Sequence, residues 1–364
     1  MADQPRESAS GPQQAAKSGR RRRRRRGRGG NRPAAPQASP PAHYGALDLG
    51  TNNCRLLVAS PTEDSFRVVD AFSRIVRLGE GLSRTGELSQ AAQDRAIAAL
   101  KICAAKLDSR KVTRRRLIAT EACRGARNGV EFLERVRSET GLQLEIVNRE
   151  TEAKLAANSC APLLDRGASG AVLFDIGGGS SELAFLGKAD EVDRGPPLAP
   201  VHEWDSMPLG VVTLAERFGG ENVTPEIFAA MVEDVLPRVR AFAGKATAVQ
   251  NGEIYLLGTS GTVTTLAGIH LDLPRYDRRR VDGIWLSRNE VNTVVAKLCA
   301  SSYQERIANP CIGAQRADLV LAGCAILEAI RQVFPCERLR VADRGLREGM
   351  LVELMRADGV WSRA

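Results

Sequence analysis

From Tyr44 onward, short apolar runs alternate with longer stretches whose apolar residues recur at helical spacing. This is the rhythm of an α/β chain. The segment YGALDLG (44–50) predicts a buried strand ending in a glycine turn, and CRLLVAS (54–60) predicts a second strand returning from it. A third strand is expected within 65–79. Apolar spacing from Gln90 to Leu107 predicts a helix capped by Ser89. RLIAT (116–120) predicts a strand, 129–140 a helix stopped by Gly141, LQLEIVN (142–148) a strand, and 150–158 the start of the next helix.

The opening pattern then returns. GAVLFDIGGGSSELAFLG (170–187) is again an apolar strand ending in Asp, one residue, Gly, a small polar cluster and a second strand. Asp48 and Asp175 are 127 residues apart, about one domain length. Two halves therefore begin with the same strand-turn-strand unit. The second half continues with a helix over 224–243, the strand EIYLLG (253–258), a glycine-rich turn opening a helix, helices near 288–300 and 317–333, a strand at 339–341 and a last helix at 346–355. The expected division is a tail over 1–42, one domain over 43–165 and another over 166–364.

Composition sharpens this picture in three places. The formal charge of the 364 residues is +9. Residues 1–42 carry eleven Lys and Arg, seven of them in the run Arg20 to Arg26, against Asp3 and Glu7 alone. All the net charge thus sits in a segment rich in Ala, Pro, Gln, Ser and Gly, whose composition predicts disorder and an affinity for RNA or another polyanion. The remainder is formally neutral, so any grip on an anion must be local. Aromatic residues are only 4%, too few for a base-stacking module. The eight cysteines form no CxxC pair and the three histidines stand apart, which excludes a zinc finger. There is neither an apolar run of about 20 residues nor a signal-peptide core. A reduced, soluble, cytoplasmic protein without membrane association is expected.

Candidate chemistry collects at the turns. In Asp48-Leu49-Gly50-Thr51-Asn52-Asn53, backbone N–H groups and small polar side chains can approach phosphate oxygens, and the strand-end Asp can orient a metal-bound water. In Asp175 to Glu182 three consecutive glycines lose much backbone entropy, and close approach to a ligand is a reason to keep them. Gly258-Thr259-Ser260-Gly261-Thr262 is strand, turn and helix start, a general anion site without the Lys of a Walker A loop. Glu121 and Arg124 follow a strand end, where open α/β folds place chemistry. Glu121 suits water activation and Arg124 a phosphoryl oxygen. Glu150 and Glu152 read equally as helix-dipole charges or as further carboxylates for metal or water. Arg275, Arg278, Arg279 and Arg280 read as a solvated charge run or as a contact for a long anionic substrate.

Six ordered motifs, ALDLGTNNCRLLVA, FDIGGGSSEL, ATEACRGARN, LGVVTLAERF, RADLVLAGCAILEAI and VADRGLREGML, resemble the exopolyphosphatase/guanosine pentaphosphate phosphatase family over roughly Tyr44 to Leu354. The resemblance implies two ribonuclease H-like domains of the actin-like ATPase/sugar kinase fold, an interdomain cleft, and a final helix packing back toward the first domain. It implies Mg²⁺-dependent release of terminal phosphate from inorganic polyphosphate. The alternatives are the 5′-phosphate of guanosine pentaphosphate (pppGpp), and a non-catalytic binder of polyphosphate or alarmone. Homodimerisation is a further expectation. Position by position, Glu121 is the implied base. Asp48, Asp175 and Glu150 are implied around the metal. Thr51, Asn52, Asn53, Gly177, Gly178, Gly179 and Ser180 are implied on phosphates, with Arg55, Arg77 and Arg124 as added contacts. Three departures stand out: Thr51-Asn52-Asn53 for Ser-Asn-Ser, Ser260 for Gly, and Asp282 for the His of Val-His-Gly.

Overall fold

The computed structural model describes residues 43–190, 192–245 and 254–361, so the expectations for residues 1–42 lie outside the described residues. The first sheet is built from β1 (Tyr44–Leu49), β2 (Asn53–Pro61), β3 (Phe66–Ile75), β4 (Arg114–Ala119) and the two-residue β5 (Glu145–Ile146). Its helices are α1 (Leu82–Thr85), α2 (Gln90–Ser109), α3 (Glu121–Gly125) and α4 (Gly129–Thr140). Ser89 caps α2 by accepting from the Ala92 N–H, and Gly141 ends α4 in the left-handed conformation. Helix α5 (Arg149–Cys160) leads into the second half.

The second sheet holds β6 (Gly170–Ile176), β7 (Ser181–Leu186), β8 (Val201–Met207), β9 (Ile254–Thr259), β10 (Trp285–Ser287) and β11 (Arg338–Ala342). Around it lie α6 (Val211–Phe218), α7 (Pro225–Lys245), α8 (Ser260–His270), α9 (Arg278–Val281), α10 (Arg288–Ala300), α11 (Tyr303–Ala308), α12 (Val320–Val333) and α13 (Leu346–Ala357). The strand orders are β3-β2-β1-β4-β5 and β10-β11-β9-β6-β7-β8. Read from its other edge, the second sheet runs β8-β7-β6-β9-β11, the same order as the first, with β10 added outside. The two sheets are thus the same ribonuclease H-like plan used twice. Strand β8 is absent from the sequence reading because Val-His-Glu-Trp-Asp-Ser-Met lacks a clean alternation. It is an edge strand, half-buried over most of its length.

Hydrogen bonding repeats with the topology. Strands β1 and β2 pair antiparallel up to Leu49 opposite Cys54, and the Gly50 N–H donates to the Asn53 carbonyl (2.8 Å). Strands β6 and β7 pair up to Ile176 opposite Ser181, and the Gly177 N–H donates to the Ser180 carbonyl (3.0 Å). β1 runs parallel to β4 and β6 parallel to β9, so Asp48 and Asp175 both sit at the carboxyl ends of central strands. The large second-lobe core gathers Phe174, Leu256, Leu266, Ile326 and Phe242. The first-lobe core gathers Leu47, Leu56, Leu100 and Phe132. Helix α13 leaves the second sheet and buries Met350, Leu351 and Met355 against Tyr44, Ala46, Leu57 and Ile118 of the first. The described residues form one compact unit. Among the described residues, no helix is long and apolar enough to cross a membrane.

Candidate active site

The two glycine turns face each other. A Cβ placed on Gly178 would lie 3.1 Å from Thr51 Cβ and 3.2 Å from the Asn52 nitrogen, and one on Gly179 would lie 2.7 Å from Thr51 Oγ1. Only glycine allows backbones to approach this closely. The cleft between the turns is lined by Asp48, Thr51, Asn52, Asn53, Arg55, Glu121, Asp175, Gly177, Gly178, Gly179 and Ser180. The start of α8, Ser260 to Thr262, joins them. The turn of residues 177–179 is held from behind by α6, whose Val211 and Val212 N–H groups donate to the Gly177 (2.9 Å) and Gly178 (2.8 Å) carbonyls.

Four carboxyl groups converge on this cleft: Glu152 and Glu182, which are buried, and Asp48 and Asp175, which are half-buried. Burial disfavours their charged forms. It raises Asp48 to about 6, against the pull of Arg55 and Arg347. It raises Glu152 to about 7, opposed by Arg124 and reinforced by the charges of Asp48 and Glu121. Asp175 is raised by burial, and Glu182 is pushed well up by burial and then by the charges of Glu152 and Asp175. Glu182 Oε1 also accepts from the Ser206 hydroxyl (2.9 Å).

Three expected residues are placed differently. Glu150 is exposed and pairs with Lys154 one helical turn along (2.6 Å), so it is not part of the cleft; Glu152 occupies the inner face of α5 instead. Arg124 does not line the cleft. It is tied to Glu121 Oε2, to Glu152 Oε1 (2.5 Å) and to the Val147 carbonyl (2.5 Å), which leaves it a bridge between two carboxylates. Arg77 lines a neighbouring groove and pairs across the lobes with Asp318 (3.0 Å) and the Gln315 carbonyl (3.1 Å). Glu121 does reach the cleft wall, yet Arg124 holds its Oε2 and Arg149 its Oε1 (3.0 Å). Among the described residues, Glu152 is engaged at Oε1 alone. Asp282, the departure from His, pairs with Arg344 (3.1 Å) and accepts from the Asp343 N–H (3.0 Å), so its role is to brace the strand end after β11.

Two features eluded the sequence reading. A chamber of about 580 Å³ opens off the cleft and shares Arg55, Ser260, Gly261, Ile312 and Arg316 with it. Arg278, Arg344 and Arg347 also line it. Arg55 and Arg316 form no ion pair among the described residues, and Arg347 has only Glu348 at 4.0 Å. Ser260 adopts φ of +78°, a left-handed conformation that an L side chain rarely takes, and its hydroxyl faces Asp175.

The donors suit a hard cation. Asp48 Oδ1, Asn52 Oδ1 and Asn53 Oδ1 are buried oxygens without a hydrogen-bond partner. Among the described residues no three His, Cys, Asp or Glu side chains cluster as a complete metal cage. One or two carboxylates, with water and substrate phosphate completing the shell, is the manner in which Mg²⁺ is held.

Comparison with known proteins gives the chain's family. The Ppx/GppA phosphatase family model matches residues 57–358. A Haemophilus influenzae protein named "Putative exopolyphosphatase" is 26% identical over 314 residues, spanning 85% of this chain and 90% of that protein. The crystal structure of the Aquifex aeolicus Ppx/GppA family member superposes with a TM-score of 0.72 at 29% identity, covering 89% of this chain and all (100%) of that one. An exopolyphosphatase structure from Cytophaga hutchinsonii shares the fold, with a TM-score of 0.76 at 24% identity over 87% of this chain and 98% of that one. With the family model matching most of the body that carries the paired turns and their carboxylates, the chain belongs to the Ppx/GppA phosphatase family, whose members are hydrolases of phosphoanhydride bonds.

Proposed function

We propose that this protein releases terminal phosphate from inorganic polyphosphate, with Glu152 as the base that activates water. The observation that carries the substrate choice is the arginine-lined chamber opening directly off the carboxylate cleft. A chain of anionic phosphates running from cleft to chamber would meet Arg55, Arg316 and Arg347 in turn. A guanosine ring would find no aromatic side chain lining the cleft, and only Tyr276 lining the chamber.

In this reading the N–H groups of Gly178 and Gly179, with Thr51, Asn52 and Ser180, grip the terminal phosphate. Glu152 Oε2 accepts the proton of the attacking water. The new P–O bond forms as the anhydride P–O bond opposite it breaks, and the shortened polyphosphate leaves with the electron pair. Arg124 fixes Glu152 through its other oxygen, and Glu121 anchors Arg124 in turn. Glu182, whose carboxyl is pushed well up by burial and by the charges of Glu152 and Asp175, is engaged on Oε1 by the Ser206 hydroxyl. Asp48 and Asp175 would hold Mg²⁺, which neutralises phosphate charge when bound. Residues 1–42, outside the described residues, are read as a general holder of RNA or other polyanions.

Phosphate release from polyphosphate and from guanosine pentaphosphate, measured side by side with and without Mg²⁺, tests the assignment. Polyphosphate is expected to turn over faster, and only with Mg²⁺. Turnover of guanosine pentaphosphate alone would replace this reading by the nucleotide one.

The cleft carboxyls also predict how stability depends on pH. Asp48 and Glu152 titrate higher in the fold than unfolded, so they keep protons that the unfolded chain has lost. Their contribution to stability is full below about pH 4 and is lost as pH rises through about 6 and 7. Carboxylates with lowered values, such as Asp70 with Lys106, act in the opposite sense, but at and below about pH 4. Metal-free protein should therefore lose stability between pH 5 and 7.5. Added Mg²⁺ should raise Tm more at pH 7.5 than at pH 5, by at least about 2 °C. Equal shifts at both values, read by differential scanning fluorimetry, would exclude Asp48 as a ligand of the ion.

A further inference from the structure

We propose that the loop carrying Arg275, Arg279 and Arg280 is a second anion site that holds the outer phosphates of long polyphosphate chains. The proposal rests on the polyphosphate reading and extends it from the cleft to the surface. Two residues of the loop pin it to the chamber. The Tyr276 hydroxyl donates to Asp343 Oδ2 (2.6 Å), and Arg278 pairs with Glu348 (2.8 Å). Both Tyr276 and Arg278 line the chamber that continues the cleft. Asp277, the acid within the loop, is engaged as a cap for the Arg279 N–H (2.9 Å).

Arg275, Arg279 and Arg280 are exposed, and none forms an ion pair among the described residues. Some exposed arginines of this protein find carboxylates, as Arg114 does with Asp358 and Arg217 with Asp234, while others such as Arg115 and Arg137 stand apart; what sets Arg275, Arg279 and Arg280 off is that they crowd into one loop beside the chamber. Three like charges within six residues repel one another, and among the described residues no carboxylate pairs with any of them. In sequence they flank Tyr276 and Arg278, the two residues of the loop that line the chamber. A single exposed contact is weak, but several charges on one path add, and salt screens them.

The test uses the full chain and the variant Arg275→Ala/Arg279→Ala/Arg280→Ala. Turnover is measured with tripolyphosphate and with polyphosphate of several hundred units. Direct binding of long polyphosphate to immobilised protein is measured in parallel. Tripolyphosphate kinetics should be unchanged. KM for the long chain should rise about tenfold at low salt with kcat kept, and the difference should shrink at high salt. Binding of the long chain should weaken by a similar factor. Unchanged KM and binding for the long chain would overturn the proposal, as would an equal loss for both substrates. If wild type bound long polyphosphate through this loop without hydrolysing any, the second site would stand and the catalytic reading would fall. If it bound none, both would fall.

Discussion

Glu152→Gln is expected to lower turnover by about 10²–10⁴-fold, the usual contribution of a positioned base, with KM kept within several-fold. The amide preserves the side chain's shape, and its carbonyl oxygen can still accept from Arg124, so the helix and its bridge to Glu121 stay in place. What disappears is a carboxylate whose free oxygen faces the cleft and whose proton affinity burial has lifted toward neutrality. The phosphate grip belongs to the glycine turns, Thr51 and Asn52, which the change does not touch. The acid limb of the pH–rate profile should flatten in the variant, because that limb reports the base. Stability at pH 7.5 should hold or rise slightly, since a buried charge is removed. Glu121→Gln is the paired measurement. Its oxygens are already held by Arg124 and Arg149, so its loss should act through the position of Arg124 and stay within about tenfold. The reverse ranking, a hundredfold loss at Glu121 and near wild-type rates at Glu152, would return the role of base to Glu121.

The difference between these two glutamates shows what the sequence could carry. The paired strand-turn-strand units were legible because their pattern is local: apolar strand, Asp, glycine turn, second strand. Helix α5 was legible as a helix, but the choice between Glu150 and Glu152 needed its face. Glu152 shares a side with Leu155, Ala156 and Ser159, at spacings of three, four and seven, and all are buried. Glu150 has Lys154 at spacing four, the signature of a solvated pair. That periodic signal was present in the sequence. The fate of Arg124 was not, because its partners Val147 and Glu152 come from segments over 20 residues away. Arg316 sits within a recognisable motif, yet nothing local tells that it faces Arg55 across a chamber. Long-range convergence of like charges is a property of the folded sheets, not of any window along the chain.

Gly210→Ala carries the second large expected effect, and it lies outside every glycine-rich motif. Its backbone is extended, with φ of −135°, so an alanine meets no conformational penalty. The obstacle is space. A Cβ there would stand 2.5 Å from the Gly177 carbonyl oxygen and 2.5 Å from the carbon and oxygen of Gly178, all backbone atoms. Neither chain can yield by rotating a side chain. Helix α6 must move off the turn, which breaks or stretches the bonds from Val211 and Val212 that hold it. Overpacking of this kind costs about 1–3 kcal/mol of stability. The catalytic cost is larger, because the turn is the phosphate cradle and a displacement near 1 Å can cost about 10²-fold. The expected result is a folded protein with Tm lowered by several degrees, turnover down about a hundredfold and KM raised. Gly125→Ala is the control, since no atom lies within 4 Å of the added carbon and the residue ends a helix. It should leave both rate and Tm near wild type. Wild-type turnover in Gly210→Ala, with Tm reduced as expected, would mean that the turn adapts without loss of function. The rigid glycine cradle would then have to be abandoned as the source of phosphate affinity.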